Sequence, residues 1–98
     1  MKDSMNLVDR YLVTLRIIQP ARVQDVATAY AEMWGDDQKD QIYRLHERLK
    51  SDGLLVDIRR GTYVLTAKGM SVAATLVKER EIDNRRLFLM KRQRRLYH

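Results

Sequence analysis

The sequence predicts a mainly α chain with one small β-hairpin, an α+β fold in a single domain, and three observations predict it. Apolar residues recur at helical spacing in three successive stretches before Gly53. Two short runs rich in β-branched and aromatic residues, Leu54 to Arg60 and Thr62 to Thr66, are separated only by Gly61, as in a tight hairpin. Thr66 is placed to cap one more helical stretch, its hydroxyl reaching free amides of the first turn. Ninety-eight residues, 45% of them hydrophobic, suffice for one core and are too few for two.

The first helix is expected over about Asn6 to Ile18, with Val8, Tyr11, Leu12, Leu15 and Ile18 on one stripe and Asp9, Arg10, Thr14 and Arg16 away from it. Pro20 ends it. The second covers about Ala21 to Trp34, turning Val23, Val26, Ala27, Tyr30, Ala31 and Trp34 inward. Gly35, Asp36 and Asp37 form a turn in which either aspartate can cap the third helix, expected from about Asp37 to Ser51. Asp36, Asp37 and Asp40 then favour the helix dipole; the spacing lacks the glycine and glutamate of a calcium loop, and no metal site is expected. Ile42, Leu45 and Leu49 share one face of this helix, and Gly53 stops it.

The hairpin follows, with Arg59 and Arg60 at its tip. The fourth helix buries Met70, Ala73, Ala74 and Val77 and runs into the charged stretch Lys78 to Asp83. A break is expected at Asp83 and Asn84, dividing a domain of residues 1–83 from a basic extension, 84–98. Within that extension Leu87, Phe88, Leu89 and Met90 are too apolar for a purely solvated tail.

The net charge of +6 is unevenly placed. Residues 1–66 hold ten basic and ten acidic side chains; residues 67–98 hold nine and three, so the whole surplus lies in the last third. Such asymmetry points to a polyanionic partner, with a solvated tail as the bland alternative. The two histidines, His46 and His98, have no second histidine, cysteine or carboxylate cluster to complete a metal set or a nucleophile and base, so neither an enzyme nor a cofactor is expected. No apolar run approaches the ~20 residues of a membrane span, and the absence of cysteine suits a reducing compartment. The expectation is a cytoplasmic, nucleoid-associated protein with no membrane partner.

Three helices, a hairpin and a further helix, with Leu49, Gly53 and Leu54 followed by Gly61, Tyr63, Leu65, Thr66 and Gly69, resemble the winged helix-turn-helix superfamily of DNA-binding domains, in the manner of MarR-like and PadR-like bacterial regulators. The resemblance covers residues 6 to about 80 and implies that the third helix reads a major groove of double-stranded DNA while the second supports it. On that helix Gln41, Arg44 and Arg48 lie along one edge with the chemistry for reading bases, and Lys39 and Tyr43 lie on the opposite flank, suited to phosphate. Asp40 and Glu47 share the exposed face; Asp40 and Arg44, four apart, can neutralise each other.

The resemblance further assigns Arg59 and Arg60 to the adjacent backbone or minor groove. Outside its pattern, Arg85, Arg86, Lys91, Arg92, Arg94 and Arg95 are expected to track phosphates. The implied function is transcription regulation by a homodimer, since one module buries only about 600 to 1,000 Å² on DNA. The first helix, with Leu76, Ile82, Leu87, Phe88 and Met90, is expected to supply the dimer's apolar surface. The rival readings are a winged helix used for protein interaction and an RNA-binding accessory protein.

Overall fold

In the computed structural model, which describes residues 5–97 and side chains as far as Lys91, the helix α1 (Leu7–Ile18) is the axis around which the other elements gather. Its start is fixed by reciprocal bonds: Asn6 Oδ1 accepts from the Asp9 amide at 2.9 Å, and Asp9 Oδ2 accepts from the Asn6 amide at 3.3 Å. At about 100° per residue, Tyr11, Leu12 and Leu15 point one way and Val13 and Ile17 the other, and all five are buried. The first three join the main core with Val26, Ala27 and Tyr30, Ile42, Leu45 and Leu49, Leu55, Leu65 and Ala73. Val13 and Ile17 enter a second core with Ala29, Ile82 and Leu89. Both faces of α1 are thus covered, not the single stripe expected, because the chain's last helix closes over the back.

This burial corrects the placement of Thr14, expected to face outward. It is fully buried, with its polar group satisfied: Oγ1 donates to the Arg10 carbonyl at 2.6 Å and accepts from Trp34 Nε1 at 3.0 Å.

The helix α2 (Val23–Trp34) begins two residues later than the sequence suggests because Ala21 is held in extended pairing. Its amide donates to the Tyr63 carbonyl at 3.0 Å and its carbonyl accepts from the Tyr63 amide at 2.8 Å. After Gly35, left-handed at φ 67°, comes α3 (Lys39–Ser51). Gln38 stands at its cap position without a side-chain bond to the helix, its Nε2 donating instead to Asp36 at 2.8 Å, while Asp37 accepts from the Lys39 amide at 3.1 Å and so serves the first turn from one residue further out. At the other end the Leu54 amide donates to the Leu49 carbonyl (3.0 Å) and the Gly53 amide to the Lys50 carbonyl (3.1 Å), with Gly53 at φ 76°. This paired closure needs a left-handed residue, hence glycine.

Strands β1 (Leu55–Arg59) and β2 (Thr62–Leu65) pair antiparallel, Leu55 opposite Leu65 and Arg59 opposite Thr62, with an irregularity at Ile58. Thr66 then caps α4 (Ala67–Leu76): its Oγ1 accepts from the Gly69 amide at 3.1 Å and donates to the Gly53 carbonyl at 2.6 Å. One hydroxyl therefore ties the end of α3 to the start of α4. Ala73 of α4 is fully buried and Ala74 is exposed, a correction to the expected stripe.

The break falls at Val77, whose backbone is extended, and not at Asp83 and Asn84. From there α5 (Glu79–Tyr97) runs without interruption, so the expected boundary at residue 83 lies inside a helix. The charged run that suggested an end is helix-compatible: Glu79 and Glu81 occupy the first turn, Glu81 pairs with Arg85 at 3.0 Å and Asp83 with Arg86 at 3.3 Å. α5 packs on α1 and α2. The result is a mainly helical α+β chain with one two-stranded antiparallel sheet.

Candidate nucleic-acid interface

The sequence of α3 sorts itself by period. Ile42, Leu45, His46 and Leu49 fall within one third of the helix circumference and are buried, which anchors the helix along its length. The remaining side chains are exposed. At about 100° per residue, Asp40, Arg44, Glu47 and Ser51 form the outermost line. Gln41 and Arg48 border it on one side, next to Arg44, and Lys39, Tyr43 and Lys50 on the other. The five positions singled out on this helix are therefore all exposed: Arg44 on the outermost line, Gln41 and Arg48 beside it on one flank, and Lys39 and Tyr43 on the other.

Lys39 and Tyr43 also line a shallow groove with Gln24, Thr28 and Glu32 of α2. Among the described residues no ion pair joins Asp40 to Arg44, as their spacing suggested. Arg48 instead approaches Asp52 at 3.9 Å, a loose and well-exposed pair that leaves its guanidinium available.

The hairpin is fastened beside α3 by aromatic and polar contacts that periodicity does not reveal. The Tyr63 ring meets the His46 ring edge-on at 4.3 Å, and Lys50 Nζ lies 5.6 Å from the Tyr63 ring centre. Gln19 Oε1 accepts from the Leu65 amide at 2.8 Å, and the Ala21 bridge holds β2 from its other side. Arg59 and Arg60 stand exposed at the turn, which Gly61 makes at φ 78°. Behind them Asp57 Oδ2 accepts from the Gly61 amide.

Among the described residues, Arg85, Arg86 and Lys91 of α5 are not gathered with this group. Cores on opposite faces of α1 receive α3 and α5, so α1 stands between them. Arg85, expected on a phosphate, is built into the packing: its guanidinium lies 4.0 Å from the Trp34 ring centre and pairs with Glu81. The physical reason is Trp34, whose other neighbour Arg10 lies 5.1 Å from the ring centre; an aromatic face beside the second core draws in the nearest guanidinium. Arg86 is exposed and paired with Asp83, and Lys91 is exposed. The side chains of Arg92, Arg94 and Arg95 lie outside the described residues.

The apolar surface expected for a second copy is redistributed as well. α1 and Ile82 are consumed in the cores, and Leu76 is half-buried; Leu87, Phe88 and Met90 remain exposed on α5. Among the described residues no group of histidine, cysteine and carboxylate side chains is placed to hold a metal ion, and no helix is long and apolar enough to cross a membrane. Comparison with protein-family models, with curated proteins and with solved structures returns no match.

Proposed function

We propose that this chain is a winged helix-turn-helix protein that binds double-stranded DNA sequence-specifically, as a transcriptional regulator. The observation that carries the reading is the exposure of α3: the helix is anchored along one side by Ile42, Leu45 and Leu49, and its opposite side stands clear from Lys39 to Ser51. A major groove is wide enough to admit such a helix. Gln41, Arg44 and Arg48 then read bases, arginine through both acceptors of guanine and glutamine through both groups of adenine. Lys39 and Tyr43 on the other flank, with Arg59 and Arg60 of the wing, hold the backbone. Asp40 and Glu47 on the outermost line repel phosphate but can accept from a cytosine amine, which makes them discriminating rather than binding groups.

With α5 across α1 from this face, Arg86 and Lys91 contribute long-range attraction and not groove contacts. Leu87, Phe88 and Met90 are the surface on which a second copy doubles the footprint. The same carboxylates on α3 favour one alternative, a winged helix that docks an acid-tolerant protein partner. An anisotropy titration with a pool of duplexes at two salt concentrations separates the readings. DNA binding predicts affinity that falls with salt by a logarithmic slope of about 0.9 per neutralised phosphate. No salt-dependent binding even at low salt leaves the protein partner, and stronger competition by single-stranded RNA than by duplex leaves an RNA ligand.

A further inference from the structure

His46 is the one polar side chain of α3 that points inward, and three elements meet on it. Its Nδ1 lies 2.6 Å from the Tyr11 hydroxyl of α1, its ring packs edge-on against Tyr63 of β2, and only 4% of the residue is exposed. Its Nε2 is buried and has no hydrogen-bond partner among the described residues. A neutral ring tolerates this, since one nitrogen is satisfied and the other loses a single bond. A protonated ring carries an N–H on both nitrogens and a charge, and must place one of those N–H groups where nothing accepts it.

We infer that His46 is a proton-sensitive latch between α3 and the hairpin: uncharged, it holds Tyr63 and with it the middle of β2 against the helix, and on protonation it releases them. The groups that face the ring are Tyr11 from α1, Tyr63 from β2, and Glu47 and Lys50 from its own helix. Burial is the largest influence and disfavours the charged ring; Glu47 favours it and Lys50 opposes it, and the net effect holds the His46 pKa below its ordinary value. The Tyr11 hydroxyl is pushed the other way, up, by burial first and then by Tyr63, so it stays protonated throughout and supplies no counter-charge.

The direction follows by linkage. An unfolded or released histidine takes up its proton at the ordinary value, the latched one only below it. The latch is therefore at full strength above the ordinary histidine pKa and weakens as the pH falls through that value towards the latched one. The part set free is the middle of β2, where Tyr63 meets His46 and carries the Ala21 bridge; Leu55 and Leu65 keep the base of the hairpin in the main core, with Leu12, Leu15, Val26, Tyr30, Ile42 and Leu45.

Amide exchange on the full chain tests this, read as protection factors so that intrinsic exchange rates cancel. Between neutral pH and about pH 5 the Tyr63 and Ala21 amides should lose protection by up to about tenfold per pH unit, while core amides such as that of Tyr30 hold theirs. In His46→Gln, which keeps a hydrogen-bonding group for Tyr11 and cannot titrate, the same amides should be insensitive to pH. Identical pH profiles in the two proteins overturn the latch. Should the variant not fold, side-chain NMR of His46 in the wild-type chain decides: ring protonation and the release of Tyr63 must share one midpoint, and separate midpoints overturn it. Only its consequence rests on the DNA reading: duplex affinity should fall in acid for the wild-type chain and stay level for His46→Gln. Absence of duplex binding at every pH would retire that reading and leave the exchange data to judge the latch.

Discussion

At Gly69 a single hydrogen decides whether α4 can sit where it does. The residue is buried, and a Cβ built on it would run into the Leu54 carbonyl and crowd the Leu65 side chain. A backbone carbonyl cannot swing aside as a flexible side chain can. Gly69→Ala should therefore cost roughly 1 to 3 kcal/mol, measured by urea denaturation, despite alanine's better helix propensity. A stabilised variant would show that α4 does not approach Leu54. Arg44 is a different kind of residue, exposed and free of any ion pair to Asp40. On the proposed reading Arg44→Ala costs about 1 to 3 kcal/mol on a preferred duplex and almost nothing on unrelated sequence. Equal loss on both, in parallel anisotropy titrations, would move it from base reading to phosphate contact.

Among the elements, α5 is the one whose role the sequence concealed. Its first half is dominated by charge, which reads as a solvated run, yet Ile82 and Leu89, seven apart and so on one face, fill the second core while Arg85 covers Trp34. Periodicity found α3, the hairpin and the Thr66 cap because each is a local device: a stripe, a glycine with positive φ, a hydroxyl three residues from an amide. It missed the burial of Val13 because nothing within α1 says that a helix seventy residues later will cover its back, and that of Thr14 because the indole that meets its hydroxyl, Trp34, stands twenty residues on. It missed the Ala21 bridge for the same reason, the partner Tyr63 being far along the chain. The placement of α5 leads to a prediction opposite to that for a detachable tail. Truncation after Asp83 removes Leu89 and Arg85 from packed positions, and it should lower stability by at least the ~2 to 5 kcal/mol of a single large-to-small core substitution. A chain that unfolds at the same urea concentration without residues 84–98 would show that α5 ends before Leu89 docks.

At the scale of the molecule, the described cations of α3, the hairpin and α5 are divided between two sides of α1, and this division sets how salt should act. The α3 and hairpin side carries Lys39, Arg44, Arg48, Lys50, Arg59 and Arg60, partly offset by Asp40, Glu47, Asp52 and Asp57; the far side carries Arg80, Arg86 and Lys91. Counterions are released only where a phosphate is neutralised at close range, whereas attraction from the far side is screened beyond about 8 to 10 Å at physiological salt. The two sides should therefore separate in a salt titration. Replacing Arg59 and Arg60 together by alanine should reduce the logarithmic salt slope by up to about 2, one step for each lost phosphate contact. Replacing Arg86 and Lys91, both exposed and so removable without disturbing the core, should leave that slope nearly unchanged and lower the association rate at low salt. The reverse pattern, a slope governed by Arg86 and Lys91, would place the polyanion on the α5 side of the molecule and leave α3 facing some other partner.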